Sequence, residues 1–281
     1  MKTFVNLTVL GRDKSGAIAR ITSFLFQHGG NIEALEENVT RGRFSMHLLA
    51  SWPSSRFTPD PIRSGIHKLG AELDMEVTFK IRDPRRRQRF ALFVTRETHC
   101  LQSLLQAARR GRIPAQPALI LGNRADLKPL AEQAGVPFAL VPWNQRDRAE
   151  ARALRLLDRH DIDFIVLARF MKILSPNFVW RFKNRILNIH PSLLPSFPGA
   201  QAYRQAYEAG VKIVGVTAHF VTMHLDEGPI IAQGSFHVPA GMRLKDIVER
   251  GQRLEASVLL RAVRLFLTRK LDVYWGRVRE V

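Results

Sequence analysis

Two stretches in the second half of the chain carry side chains suited to acyl chemistry. Asn188 and His190 stand two residues apart, so on a strand both would lie on one face. Pro191 predicts the end of that strand, because proline removes a donor from the ladder. Asp226 precedes a Gly-Pro turn at 228–229, which can return a carboxylate toward the sheet. We therefore expect the amide, the imidazole and the carboxylate to meet.

Such a set can support attack on a carbonyl carbon. The amide of Asn188 can donate hydrogen bonds to an oxygen that becomes negative. The carboxylate of Asp226 beside His190 would hold the ring and favour its protonated form. Water or an amine could then attack directly, without a serine or cysteine nucleophile. Metal binding by His190, His219, His224 and Asp226 is the alternative, but their spacing matches no metal motif, and we expect no metal.

The elements that must position these side chains follow an alternating pattern. Short apolar runs predict buried strands at 90–94, 118–121, 138–141 and 164–168. Helical spacing of apolar residues predicts helices at 101–108, 127–135 and 147–160. This alternation predicts an α/β fold with a doubly wound, mostly parallel sheet. In such sheets, ligands bind beyond the carboxyl ends of the strands.

The first 83 residues follow a different order. Strand patterns occur at 3–10, 32–39, 44–52 and 76–81, with helical patterns at 18–25 and 62–70. The order βαββαβ is typical of a ferredoxin-like domain. A basic run, Arg85 to Arg89, follows Asp83 and Pro84 and marks a boundary. The sequence thus predicts one domain at 1–83, a basic linker at 84–89 and a second domain at 90–281.

Composition narrows the class of protein. The 281 residues are 46% hydrophobic, which suffices for two ordinary cores and excludes disorder throughout the chain. No apolar run reaches the ~18 residues that cross a bilayer, and the N-terminus has no signal-peptide cleavage pattern. The single cysteine, Cys100, excludes an internal disulfide, and we expect it to pack in the core. We predict a cytoplasmic protein with no membrane partner.

The net charge of +18 favours polyanionic ligands. The arginines are scattered, however, so we interpret the charge as a solvated basic surface and expect no nucleic-acid partner.

The two chemical stretches resemble the formyltetrahydrofolate-dependent formyltransferases. The family signature Asn-x-His-Pro-Ser-Leu-Leu-Pro stands at 188–195, Gly-x-Thr-x-His-x-Val at 215–221 and Asp-x-Gly-x-Ile at 226–230. The resemblance implies the formyltransferase fold for the second domain, with Asn188, His190 and Asp226 as catalytic residues. It implies that the folate is bound by Met171, Lys172, Ile173, Leu174, Gly215, Thr217 and His219.

Two turns of the first domain resemble the signature turns of ACT domains. They lie at 13–18 and 29–32, with Ser15 where the family commonly has proline. The resemblance implies an amino-acid effector, such as glycine or methionine, bound by Asp13, Gly16, Asn31 and Ile32. It also implies pairing of copies into a homo-oligomer. The alternative is that these residues only form turns in a scaffold.

An ACT-like domain joined to this fold is similar to the formyltetrahydrofolate deformylase family. The Thr-His-Cys-Leu run at 98–101 adds to that resemblance. It implies hydrolysis of 10-formyltetrahydrofolate, as substrate, to formate and tetrahydrofolate, with no permanently bound cofactor. The resemblance further implies that this reaction balances the one-carbon pool and supplies formate for purine synthesis. The motif at 190–195 is transferase-like, and Gly-Asn-Arg at 122–124 departs from the deformylase pattern. Formyl transfer to an unknown amine is therefore the alternative function.

Overall fold

The computed structural model describes residues 2–40, 42–83, 85–268, 271–274 and 276–280. The chain divides into two units, Met1–Arg86 and Arg87–Val281. The division falls inside the predicted linker 84–89, of which Pro84 lies outside the described residues. The linker is shorter than predicted, because Gln88 and Arg89 already belong to a strand. The Arg89 amide donates a hydrogen bond to Asp163 Oδ2 at 2.7 Å, which ties the start of that strand to the second unit.

The first unit has the predicted βαββαβ order. Its elements are β1 (Lys2–Arg12), α1 (Ala17–Gln27), β2 (Asn31–Thr40), β3 (Arg43–Pro53), α2 (Pro59–Leu73) and β4 (Met75–Arg82), with a 3-10 turn at Ser54–Arg56 before α2. Among the described residues, the strands form an antiparallel sheet in the order β2-β3-β1-β4. Alternate residues of β1 (Val5, Leu7 and Val9) are buried in one core with Ile21 of α1 and Ile66 of α2.

The second unit begins with the predicted alternation of strands and helices. These elements are β5 (Gln88–Val94), α3 (His99–Arg109), β6 (Ala115–Gly122), α4 (Lys128–Gln133), β7 (Phe138–Leu140), α5 (Arg146–Arg159), β8 (Phe164–Ala168), α6 (Pro176–Arg181) and β9 (Ile186–His190). They are followed by α7 (Ala202–Glu208), β10 (Ile213–Phe220), β11 (Ile230–His237), α8 (Leu244–Leu267), β12 (Leu271–Tyr274) and β13 (Arg277–Glu280). The last two form a hairpin.

Within the described residues of this unit, the main sheet has the order β11-β10-β9-β8-β5-β6-β7. The strands from β5 to β9 are parallel, whereas β10 pairs antiparallel with both β9 and β11. The order reverses beside β5, because β6 lies on one side of it and β8 on the other. Such a reversal opens a crevice at the carboxyl ends of the strands, where ligands of α/β proteins bind.

Both faces of the sheet are covered, as the apolar runs predicted. Phe90, Leu92 and Val94 of β5 belong to one core, which also contains the buried residues of α3 and α8. Ala91 and Phe93 face the opposite core, beneath α5 and α6. Cys100 is fully buried in the first core, which confirms its predicted packing. None of the helices in the described part of the chain has the length and apolarity that a bilayer crossing requires.

Candidate active site

The structure brings Asn188, His190 and Asp226 together at the end of β9. Asn188 and His190 lie on one face of this strand, and Asp226 comes from the loop between β10 and β11. Asp226 Oδ2 lies 3.3 Å from His190 Nδ1, and Asp226 Oδ1 lies 3.8 Å from His219 Nε2. Asn188 Nδ2 lies 3.2 Å from His219 Nε2. A fourth side chain, that of His219, thus completes the cluster.

The pairing of two strands places His219 beside Asn188. β10 runs antiparallel to β9, with His219 opposite Asn188 and Thr217 opposite His190. His219 Nδ1 lies 2.9 Å from the Phe220 carbonyl oxygen, so this nitrogen must carry a proton and donate it. Burial lowers the pKa of His219, more than the Phe220 carbonyl and the charge of Asp226 raise it. The ring is therefore neutral, and Nε2 accepts a hydrogen bond from the Asn188 amide.

This contact fixes the orientation of the Asn188 side chain. The amide nitrogen has two protons, and His219 takes one of them. Because His219 Nε2 can only accept, the amide nitrogen faces it and the amide oxygen does not. Within the described part of the chain, the second N–H of Asn188 has no hydrogen-bond partner and could donate to a ligand oxygen.

His190 and Asp226 form a nearly buried pair that requires a proton between them. Their side chains are only 6% and 7% exposed. His190 Nε2 lies 3.0 Å from the Phe197 carbonyl oxygen and must donate to it. Nδ1 would then present a lone pair to the carboxylate unless the pair holds one more proton. The predicted His190–Asp226 coupling is thus present, but both ring N–H groups have acceptors in the protein.

The Asp226 loop has a backbone shaped for this contact. Asp226 adopts a left-handed conformation with φ of 57°, and its Oδ2 accepts a hydrogen bond from the Gly199 amide at 2.9 Å. Gly199 itself has φ of 81°, which favours glycine. A Cβ on Gly228 would lie 1.6 Å from the Phe220 carbonyl oxygen, so only glycine permits the return of this loop to the sheet.

Thr217 and Gly215 hold the catalytic loop 191–200 in place. The fully buried Thr217 hydroxyl donates to the Ser192 carbonyl at 2.8 Å and accepts from the Leu194 amide at 3.0 Å. Gln233 Nε2 donates a hydrogen bond to the Thr217 hydroxyl oxygen at 3.0 Å. A Cβ on Gly215 would lie 2.5 Å from Leu193 Cγ. Both buried residues therefore support the loop from inside, and their contact with folate stays a prediction.

The predicted folate loop follows β8 at the same edge of the sheet. Met171 and Ile173 are 53% and 61% exposed, and Lys172 is also exposed, whereas Leu174 is buried. The Met171 amide donates to Thr95 Oγ1 at 3.1 Å, which ties the loop to the end of β5. Apolar side chains exposed beside polar active-site groups are suited to a flat aromatic ligand such as a pterin. Folate contact by these residues stays a prediction.

A buried carboxylate anchors the far end of this loop. Glu150 Oε1 accepts a hydrogen bond from the Ser175 amide at 2.6 Å, and its Oε2 accepts from the Ser175 hydroxyl. Glu150 is only 6% exposed. The sequence analysis missed this residue. Its signal was the position of a carboxylate on the apolar face of α5, three and seven residues before the buried Ala153 and Leu157.

A second buried cluster lies at the carboxyl ends of β5 and β8. In the described part of the chain, donor atoms of His99, Cys100 and Glu255 lie within 4.8 Å of one another, a spacing compatible with a metal. Burial, followed by the charge of Glu255, raises the pKa of the Cys100 thiol well above its usual value, so it does not supply the thiolate that zinc requires. The Arg169 guanidinium already supplies the positive charge that pairs with Glu255, since its Nε lies 3.4 Å from Glu255 Oε2. The cluster fits an ion pair better than a metal site.

The structure does not bring the four predicted effector residues together within one chain. Asn31 pairs with Ser51, which also pairs with Phe4 at the start of β1. Asp13 follows Arg12, at the other end of β1. At about 3.3 Å per residue, the distance along β1 from Phe4, which marks the position of Asn31, to Asp13 is roughly 30 Å. Gly16 stays with Asp13 and Ile32 stays with Asn31, at opposite ends of the sheet.

Asn31 also has a partner in its own chain. Hydrogen bonds from Ser51, Lys2 and Asn31 lower the pKa of Glu33 to about 2. Asp13 and Asn31 are exposed, and Gly16 adopts φ of 79°. Effector binding at these four residues stays a prediction.

Comparison with known proteins covers both units. Residues 88–263 match the Formyl transferase family and residues 3–80 match the ACT domain family. A formyltetrahydrofolate deformylase of Escherichia coli (strain K12) is 39% identical over 275 residues, which cover 94% of each chain. A formyltetrahydrofolate deformylase of Bacillus subtilis (strain 168) is 36% identical over 267 residues, covering 93% of this chain and 88% of the relative.

The chain is also similar to solved structures. The crystal structure of a formyltetrahydrofolate deformylase from Pseudomonas syringae pv. tomato has a TM-score of 0.69 and 32% identity, covering 100% of this chain and 94% of that one. A glycinamide ribonucleotide transformylase from Symbiobacterium toebii has a TM-score of 0.66 and 36% identity, covering 69% of this chain and 94% of that one. The similarity to deformylases thus extends over both units.

Proposed function

Because the chain belongs to the formyltetrahydrofolate deformylase family, we propose that it hydrolyses 10-formyltetrahydrofolate to formate and tetrahydrofolate. The observation that carries the proposal is the convergence of Asn188, His190, His219 and Asp226 within 3.2–3.8 Å contacts at the carboxyl edge of the sheet. Transfer to an amine has no comparable support, because the deformylase relatives cover nearly the whole chain.

In the first step, water adds to the formyl carbon. The formyl oxygen lies against the second N–H of Asn188, which His219 holds in the donating orientation. Asp226 Oδ1, which lies away from His190 and Gly199, takes the proton of the attacking water. The oxyanion is stabilised by the Asn188 hydrogen bond and by the positive charge of the protonated His190.

In the second step, the tetrahedral intermediate collapses. The bond from carbon to N10 of the folate breaks, and the proton held by Asp226 passes to N10. The products are formic acid, which ionises to formate, and tetrahydrofolate. Atoms and charge balance without a permanently bound cofactor, since water is the only second reactant.

The decisive experiment measures formate released from 10-formyltetrahydrofolate by the full chain without any amine. We expect catalytic release, and a fall in kcat of about 10²–10³ for Asn188→Ala, since one oxyanion donor is removed. Asp226→Asn should lose activity because the proton acceptor is gone. The control is Asn177→Ala, an exposed residue of α6. Turnover that begins only when an amine is added would refute hydrolysis.

For the first unit, we propose that it binds an amino-acid effector at a site completed by a second copy of the chain. The separation of Asp13 and Gly16 from Asn31 and Ile32 within one chain supports a site that two copies build. Isothermal titration with glycine and with methionine, combined with sedimentation velocity, tests both parts. Binding by a chain that stays monomeric, or a dimer that binds neither amino acid, would contradict the proposal.

A further inference from the structure

The mechanism does not use the buried Glu255 cluster, which consists of Glu255, His99, Arg169 and Tyr203. Glu255 lies on α8 and is completely buried. Its Oε2 lies 3.0 Å from His99 Nε2 and 3.4 Å from Arg169 Nε. Its Oε1 accepts a hydrogen bond from the Tyr203 hydroxyl at 2.7 Å. One carboxylate therefore joins side chains from three other segments.

The carboxylate of Glu255 is ionised. Burial raises its pKa, but the hydrogen bonds of His99 and Tyr203 and the charges of Arg169 and His99 more than offset this, so the pKa is below its usual value. Burial also raises the pKa of Tyr203, which keeps its hydroxyl a donor. A buried charge is costly unless it is paired, and removal of one partner leaves the other uncompensated. Loss of any one partner of Glu255 is therefore costly.

The backbone around the cluster is fitted to it. Arg169 adopts φ of 62°, a left-handed conformation that is uncommon for a long side chain. A Cβ on Gly251 would lie 2.3 Å from the Tyr203 ring, so the glycine lets that ring reach Glu255. Arg169 Nε is buried and, at hydrogen-bond geometry, finds no partner among the described residues.

The Arg169 and Tyr203 arms of the cluster end at different loops of the active site. Arg169 follows the last residue of β8 and lies two residues before the folate loop 171–174. Tyr203 lies in α7, directly after the catalytic loop 191–200. That loop contacts His190 through the Phe197 carbonyl and Asp226 through the Gly199 amide.

We propose that Glu255 is a positioning residue that aligns the folate loop with the catalytic loop. The Arg169 arm sets the position of the loop that binds the pterin, and the Tyr203 arm sets the loop that holds the His190–Asp226 pair. The proposal rests on the proposed hydrolysis, and it assigns a different kinetic effect to each arm.

The experiment compares conservative variants of the two arms. Tyr203→Phe removes only the hydroxyl, and we expect kcat to fall about 10- to 100-fold with KM within twofold, since the charge-assisted hydrogen bond to the catalytic side is gone. Arg169→Lys keeps the charge but loses the planar fork, and we expect KM to rise about tenfold with kcat within threefold. Glu255→Gln should change both parameters.

Matched controls lie on the same helices. Tyr207→Phe changes an exposed tyrosine of α7, and Glu249→Gln changes an exposed glutamate of α8. Both should keep kcat and KM within twofold. Cys100→Ala should do likewise; its loss of activity, together with zinc in the purified wild type, would replace positioning with metal binding.

Tetrahydrofolate binding separates failure of this proposal from failure of the proposed function. Calorimetric titration of the folded chain should give a tenfold weaker Kd for Arg169→Lys and an unchanged Kd for Tyr203→Phe, even if the wild type releases no formate. The same loss of kcat and of thermal stability in both variants, with no difference in Kd, would overturn the proposal, because it would make the cluster a structural support only.

Discussion

The hydrogen bond between Asn188 and His219 leads to a prediction about the oxyanion donor. His219→Phe keeps a ring of similar size but deletes Nδ1 and Nε2, so the Asn188 amide loses the acceptor that orients it. A hydrogen bond of this kind contributes about 0.5–1.5 kcal/mol, and a buried donor left unsatisfied costs about 1–3 kcal/mol. Since about 1.4 kcal/mol is tenfold in rate, we expect kcat to fall about 10- to 100-fold.

The assay is steady-state formate release, with KM for 10-formyltetrahydrofolate measured in parallel. KM should stay within twofold, because the Asn188 hydrogen bond strengthens only as the oxyanion forms. The control is His224→Gln, which changes an exposed histidine of the same loop region. A folded His219→Phe protein with kcat within twofold of the wild type would refute the orientation argument.

The same contact predicts a pH dependence. The pKa of His219 is lowered below 6.5, so the neutral ring contributes stability that is present above pH 6.5 and is lost as the pH falls through the folded pKa. Protonation turns Nε2 into a donor that faces the Asn188 amide. We expect the wild-type kcat and the melting temperature to decline below pH 6.5, and both declines to be shallower in His219→Phe. An equal decline in the two proteins would contradict the assignment.

Three further changes test the supports of the site. Thr217→Val should lower the free energy of unfolding by about 1–3 kcal/mol in chemical denaturation and should also reduce kcat, because the loop 191–200 loses its buried hydroxyl partner. Gly228→Ala should abolish formate release while far-UV circular dichroism stays near wild type, since a Cβ would collide with the Phe220 carbonyl and displace the Asp226 loop. Glu150→Gln should raise KM more than it lowers kcat, because an amide replaces the acceptor of the Ser175 amide and hydroxyl.

Periodicity was sufficient to predict the main elements. The run at 90–94 is apolar at every position because β5 is covered on both faces, and the structure confirms a buried strand there. The βαββαβ order of the first unit was likewise readable; β4, for example, alternates between buried and less buried positions. These features depend on residues near one another in the chain.

The functional residues were predicted less completely. The roles of Asn188, His190 and Asp226 were inferred from residue types and a family resemblance. The structure places His190 Nδ1 3.3 Å from Asp226 Oδ2. Sequence patterns alone did not reveal that Thr217 is buried, or that the effector turns lie at opposite ends of a sheet. Both depend on strand register, which is set by pairing between distant segments.

Local chemistry and periodicity determined the elements and the motifs, because these depend on neighbouring residues, and the resemblance of the motifs to a known family implied the type of reaction. Only the tertiary structure decided which nitrogen of His219 carries the proton, and which buried carboxylates, Glu150 and Glu255, anchor the loops. The protonated nitrogen and the anchoring carboxylates are determined when strands and helices far apart in sequence enclose a polar group. Burial then makes each unsatisfied donor or charge costly, and the partners that offset this cost come from elsewhere in the chain.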